Sequence, residues 1–139
     1  MALEKTKKTR PSAFLYEGKT ECPAYLLKTA KQLKPPPFAF VRATGRAILE
    51  TARDASISGL VQPILVGEPN IIKKDANSIK WSLDNVDIVE AFGEPEAIMK
   101  SVNLFQEGKV FGLIKGQLHT DVFMGGIVKR DSGIRLGNR

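Results

Sequence analysis

Four short apolar runs recur along the chain, Phe38-Ala39-Phe40-Val41, Ile64-Leu65-Val66-Gly67, Val86-Asp87-Ile88-Val89 and Val110-Phe111-Gly112-Leu113-Ile114, with a helix-patterned stretch between each pair. Each has the length of a strand, and all but the third are uniformly apolar, the mark of strands covered on both faces. The first intervening stretch, about Ala47–Ser58, puts Ile48, Leu49, Ala52 and Ala55 on one helical face, and Gly59 follows as a natural C-cap. Pro69 opens a short helix carrying Ile71 and Ile72. Glu94-Pro95-Glu96 starts another, with acidic residues where the dipole favours them, an inner face of Ile98, Val102, Leu104 and Phe105, and Gly108 at its end. Strand–helix repeats of this kind return by right-handed crossovers. The predicted fold is α/β, a three-layer, mostly parallel sheet of about four strands with helices on both faces.

Ahead of the first strand, residues 1–20 read as a loose basic arm with Lys5, Lys7, Lys8 and Arg10, and residues 21–139 as the α/β domain. A helix is expected from Thr20 or Cys22 as cap, with Pro23 in its first turn. Its stripe is Leu26, Leu27, Ala30 and Leu33, stopped by Pro35-Pro36-Pro37. A basic α/β nucleic-acid binder using the arm is the alternative reading. It is disfavoured because the aromatics Phe14 and Tyr16 fall outside the basic run and Trp81 has only Lys80 beside it.

Composition narrows the classes further. A chain of 139 residues that is 42% hydrophobic and 26% charged suits one domain with its own core. No apolar run approaches a bilayer's thickness, and the start of the chain lacks the apolar core of a secretory signal, so a cytoplasmic protein with no membrane partner is expected. Cys22 and His119 are each the sole residue of their type, which argues against a disulfide framework or a bound metal. A net charge of +6 favours anionic partners without choosing among them. Thr44-Gly45-Arg46 matches neither a Walker loop nor a G-x-G-x-x-G fingerprint, and Ser132 sits in no nucleophile elbow. Arg42 and Arg46 stand after the first strand, where surface placement and phosphate or coenzyme A binding are both open.

The stretch richest in chemistry follows the fourth strand. Lys115 and Gly116 precede His119, Thr120 and Asp121, so a cation, two hydrogen-bonding side chains and a carboxylate gather at a strand's carboxyl end. There an open parallel sheet binds ligands, and the next helix turns its free N–H groups and positive dipole end toward the same place. An anion site, most simply for phosphate, is predicted, with capping by Thr120 or Asp121 as the plainer reading. Gly125-Gly126 interrupts the helix from Asp121 to Lys129 at a cost of about 1 kcal/mol each relative to alanine, so close packing or a break is expected. Arg130, Arg135 and Arg139 add cations among the closing glycines.

KGQLHTD followed by RDSGIRLGNR resembles a segment of the phosphate acetyltransferase and phosphate butyryltransferase family. GRAILETARDASISGLVQPILVG and EAIMKSVNLFQEGKVFGLIKG are similar to earlier family segments, so the likeness runs from Phe38 to Arg139. The KG…HTD and G-[IL]-R-x-G pattern is closer to the butyryltransferase branch, and Phe123-Met124 stands where the acetyltransferases carry Leu-Arg.

The resemblance implies a Rossmann-like half of an enzyme that moves an acyl group between coenzyme A and inorganic phosphate, with coenzyme A or acyl-CoA as substrate and no tightly bound cofactor. On that reading Lys115, Gly116, His119, Thr120, Arg130, Arg135 and Arg139 bind phosphate or coenzyme A. His119 and Asp121 are the only candidates for a catalytic base in the chain. The resemblance also implies that the base and an acyl-positioning serine come from a later part of the family's chain. Expected, then, is the N-terminal portion of a phosphate acyltransferase, truncated before its second domain. It would be inactive alone and would act as a homo-oligomer or with a complementing C-terminal polypeptide. A non-catalytic remnant that keeps phosphate or coenzyme A binding is the other expectation.

Overall fold

The computed structural model describes residues 22–134. The arm at residues 1–20, the cap candidate Thr20, and Arg135 and Arg139 lie outside the described residues.

Four strands form one sheet: β1 (Pro37–Val41), β2 (Gln62–Gly67), β3 (Asp87–Glu90) and β4 (Gly112–Lys115). Every pairing is parallel and the order is β3-β2-β1-β4. The helices are α1 (Ala24–Lys31), α2 (Arg46–Ile57), α3 (Pro69–Ser78), α4 (Gly93–Gln106) and α5 (Thr120–Val128), with a 3-10 turn at Arg130–Ser132. The predicted α/β sandwich is therefore what the chain adopts, with each strand within a residue or two of its apolar run.

Alternation along the central strands sorts the core into two layers. Ala39 and Val41 of β1 and Ile64 and Val66 of β2 face α4 and α5, where Ala97, Ile98 and Val102 complete one buried cluster. Phe40 and Leu65 point the other way, onto Leu49 and Ala52 of α2 and Ile72 and Ala76 of α3. Trp81 packs at the margin of this second cluster with Leu83 and Val86.

Two local expectations need correction. Pro23, not Thr20 or Cys22, occupies the N-cap of α1, and the helix ends at Lys31, leaving Leu33 exposed beyond it. The fourth strand begins at Gly112, because Val110 turns inward and Phe111 outward before the ladder with β1 starts. Of the two readings of Gly125-Gly126, close packing or a break, the break does not occur: α5 runs through both. A Cβ at Gly126 would collide with Ile98 Cγ1, so the missing side chain is what lets α5 lie close on α4, whereas a Cβ at Gly125 would meet nothing within 4 Å.

Candidate anion site at the sheet's switch point

The strand order makes β1 and β4 the neighbours whose outgoing loops part company. From β1 the chain turns to α2 on one face, and from β4 it turns to α5 on the other, so their carboxyl ends open a crevice. A groove of about 430 Å³ lies there, lined by Arg42, Glu94, Lys115, Gly116, Gln117, Leu118 and His119.

Its floor is backbone. Gly116 N–H donates to Val41 O at 2.9 Å and Gln117 N–H to Arg42 O at 2.9 Å, stitching the β4–α5 loop onto the end of β1. A Cβ on Gly116 would strike both of those carbonyl oxygens, so glycine is required by proximity. Arg42 itself has φ 51, a left-handed conformation that costs a non-glycine residue on the order of 1 kcal/mol and tends to mark functional turns.

Arg42 ties the crevice together. Its Nη2 lies 3.4 Å from Glu68 Oε1, at the start of α3, and its Nη1 lies 3.4 Å from Glu94 Oε1, at the start of α4. Nη1 also donates to Gln117 O at 3.0 Å. Glu68 Oε1 further accepts Gly93 N–H at 3.1 Å. Burial would raise the Glu68 pKa, but the Gly93 N–H, its own N–H and the Arg42 guanidinium outweigh it and hold the carboxyl below its ordinary value. Buried Arg42 Nε and Glu68 Oε2 find no partner among the described residues.

Glu94 grips His119 twice. Its carboxylate accepts the His119 backbone N–H at 3.2 Å and stands 2.9 and 3.0 Å from Nδ1. The ring hydrogen bond, followed by the backbone N–H, sets the Glu94 carboxyl below its usual range. With both of Arg42's neighbours ionised, its charge is spent within the protein. Lys115, exposed at the tip of β4, has no carboxylate within ion-pair distance among the described residues. It is the free cation of the groove.

The expected clustering holds for the loop. Lys115, Gly116 and His119 line one groove, and Thr120 and Asp121 open α5 beside it. Capping by Thr120 or Asp121 does not occur: His119 is the N-cap and makes no side-chain cap bond. The first α5 amide to reach a helical carbonyl is Phe123, on His119 O at 3.0 Å, so the Thr120, Asp121 and Val122 N–H groups lead the helix without one. Arg130 stands apart, past the far end of α5, about 14 Å along a nine-residue helix from Thr120. Arg46 pairs with Glu50 on the outside of α2. Glu68 and Gln117, and the part Glu94 plays in the crevice, are not foreseen from the sequence, since each meets Arg42 or His119 across 25 or more residues, where no local pattern signals the pairing.

Fold and crevice define a parallel α/β domain with an open crevice at a switch point between diverging loops, the place where sheets of this class bind ligands. Comparison with known proteins gives that class a family. No family model matches the chain. It is 32% identical over 114 residues to a phosphate acetyltransferase of Rickettsia prowazekii, covering 82% of this chain and 32% of that one. A phosphate butyryltransferase of Clostridium acetobutylicum is 30% identical over 95 residues, 68% of this chain and 32% of that one. In solved structures the fold is similar to a phosphotransacetylase from Streptococcus pyogenes, with a TM-score of 0.64 and 12% identity over 77% of this chain and 42% of that one. A branched-chain phosphotransacylase from Enterococcus faecalis gives 0.54 and 17% over 70% and 33%.

The chain is thus related to the phosphate acetyltransferases and phosphate butyryltransferases. It spans about a third of the length of the curated relatives it matches. Both kinds match at comparable identity, so the comparison favours neither branch.

Proposed function

We propose that this chain supplies the phosphate-holding wall of a phosphate acyltransferase active site, for transfer of an acyl group between coenzyme A and inorganic phosphate. Lys115 and the leading N–H groups of α5 hold the phosphoryl oxygens, and the same dipoles meet the oxyanion that develops when a thiolate attacks the acyl carbon. The carrying observation is the unspent charge of Lys115 beside an uncapped helix start, in a crevice whose other cation is already neutralised. The remaining two thirds of the relatives' length supplies the opposite wall, in the same polypeptide or another. Sheet edge β4 borders the groove and has β1 as its one partner among the described residues, so a second copy or complementing polypeptide docked there would close it. Turnover therefore requires that second wall, and the domain alone binds without transferring. Coenzyme A enters as substrate and the working compartment is the cytoplasm.

Calorimetry of the chain with acetyl phosphate, butyryl phosphate and inorganic phosphate tests the reading. Saturable binding of all three, weakened about 10- to 100-fold in Lys115→Ala, is expected. Equal binding by wild type and variant would remove Lys115 from the site. Thioester formation from acetyl phosphate and coenzyme A by the chain alone would contradict the need for a second wall.

A further inference from the structure

Two apolar surfaces of this chain stand uncovered near the same edge of the sheet. The first is α1. None of its eight residues is buried, and among the described residues neither core cluster includes one of them. The helix is nevertheless amphipathic. Leu26, Leu27 and Ala30 share a face that Leu33 extends past the last turn, with Lys31 on its flank. A helix this short does not hold its shape in water unaided, so it needs a surface to lie on.

The second surface is the outer side of α5. Val122, Phe123, Met124, Ile127 and Val128 run apolar around the whole circumference, the pattern of a helix covered on every side. Only the inner side is covered here, since none of its nine residues is buried. Between α5 and α4 lies a groove of about 490 Å³ whose lining includes Met99, Val102, Gln106, Val122 and Asp131. Leu26 of α1, Met99 in the groove, and Met124 and Val128 on α5 are each about half exposed.

Each crossover helix returns from the carboxyl edge of the sheet to the amino edge. The last turns of α4 and α5, and with them the foot of the groove, therefore lie at the edge where β1 begins and where α1 leaves the body. The link between α1 and β1 ends in Pro35-Pro36-Pro37, a stiff extended spacer that holds the helix off its own domain. Asp131, at the foot of the groove, has no cation within ion-pair distance among the described residues, and neither Lys28 nor Lys31 of α1 has a carboxylate. Lys129 shares that end of the groove, so pairing with Asp131 orients an incoming basic helix while apolar burial drives the contact.

We propose that α1 of one copy seats its leucine face in the α4–α5 groove of a second copy, and that the exchange is mutual, giving a two-fold dimer. An identical chain brings both the matching groove and a second unpacked helix, so every contact is made twice. The spacer favours this over folding back, because a proline rod leaving the sheet edge carries the helix away from the groove beside it. The carboxyl-edge crevice and the β4 edge stay open in such a dimer, so the inference stands apart from the acyltransferase reading.

Cys22 is the sole cysteine, is exposed and stands two residues ahead of α1, so it takes a benzophenone label without any substitution. Labelled full chains are mixed with unlabelled heavy-nitrogen chains, irradiated and digested, and mass then separates links within a chain from links between chains. Expected are links from the light Cys22 peptide to α4 or α5 of the heavy chain. Links confined to one chain put α1 on its own body, and links to α1 or β4 of the heavy chain put the contact elsewhere; either result overturns the proposal. Sedimentation supplies the second readout. A dimer is expected, weakened about 100-fold or more by Leu26→Glu and equally by Met99→Glu, because the symmetric contact is lost twice. Both side chains are half exposed in the single chain, so an unchanged Tm shows that the variants fold. A compact monomer at high concentration, or a dimer indifferent to either substitution, overturns it.

Discussion

Adjacent glycines in α5 should respond to the same substitution with opposite signs. Replacing a mid-helix glycine by alanine gains about 1 kcal/mol where nothing opposes it. At Gly125 nothing does, since the new Cβ meets no atom within 4 Å. Gly125→Ala is expected to raise Tm by about 4 °C, taking 3–5 °C per kcal/mol for a domain of this size.

Gly126→Ala earns the same helical gain but drives its Cβ into Ile98 Cγ1, with Cγ2 at 3.3 Å and Cβ at 3.4 Å. Ile98 is 4% exposed within the core cluster, and its Cβ, fixed by the backbone, is among the atoms met. Overpacking of this kind costs about 1–3 kcal/mol, and a collision close to the Ile98 backbone belongs at the upper end. The net loss is about 1–2 kcal/mol, a Tm drop of about 4–8 °C. Truncating Ile98 to alanine alone should cost about 2–5 kcal/mol. Combined with Gly126→Ala it should cost less than the sum, by about 1 kcal/mol or more, because the added methyl fills part of the space vacated. Scanning calorimetry of the four variants checks the series. If Gly126→Ala is as stable as Gly125→Ala, α5 does not lie on α4 as described.

Three further outcomes follow from the crevice. Gly116→Ala pushes the β4–α5 loop off the end of β1 and threatens two backbone hydrogen bonds, so a loss of about 2–3 kcal/mol is expected in urea unfolding together with weaker phosphate binding. The Glu68, Glu94 and Glu96 carboxyls all sit below the ordinary value of 4.5 in the folded chain. Their contribution is therefore complete above pH 4.5 and disappears as pH falls through the lowered folded values; Tm measured from pH 7 downward should stay level and then fall below that point. Arg42→Met leaves Glu68 beside Glu94 without its cation. It should lose about 1–3 kcal/mol at pH 7 in chemical denaturation, and the deficit should narrow below pH 4.5 as the carboxylates protonate.

What the chain discloses by itself divides along the range of the interaction. Short apolar runs and helical stripes are local signals, and they located all four strands and the helices between them. Lys115-Gly116 and His119 to Asp121 were legible for the same reason, since one strand end and one helix start place them together. Arg42 was visible only as a cation after a strand. Its conversion into an internally neutralised clamp depends on Glu68 and Glu94, brought from 26 and 52 residues away by the sheet order. Glu94 read correctly as an acid favoured by the start of α4, yet its chief partner is His119 on another element. The two glycines of α5 show the limit in the other direction: their helix cost is local knowledge, whereas the reason for Gly126 is the position of Ile98.

A phosphate titration followed residue by residue in amide proton–nitrogen spectra tests the proposed anion site most directly. The account predicts saturable shifts confined to Gly116 and the leading amides of α5, Thr120 to Val122, weakened about 10- to 100-fold by Lys115→Ala, the range for one charge-assisted hydrogen bond. Shifts centred elsewhere, or unchanged by that substitution, would contradict it.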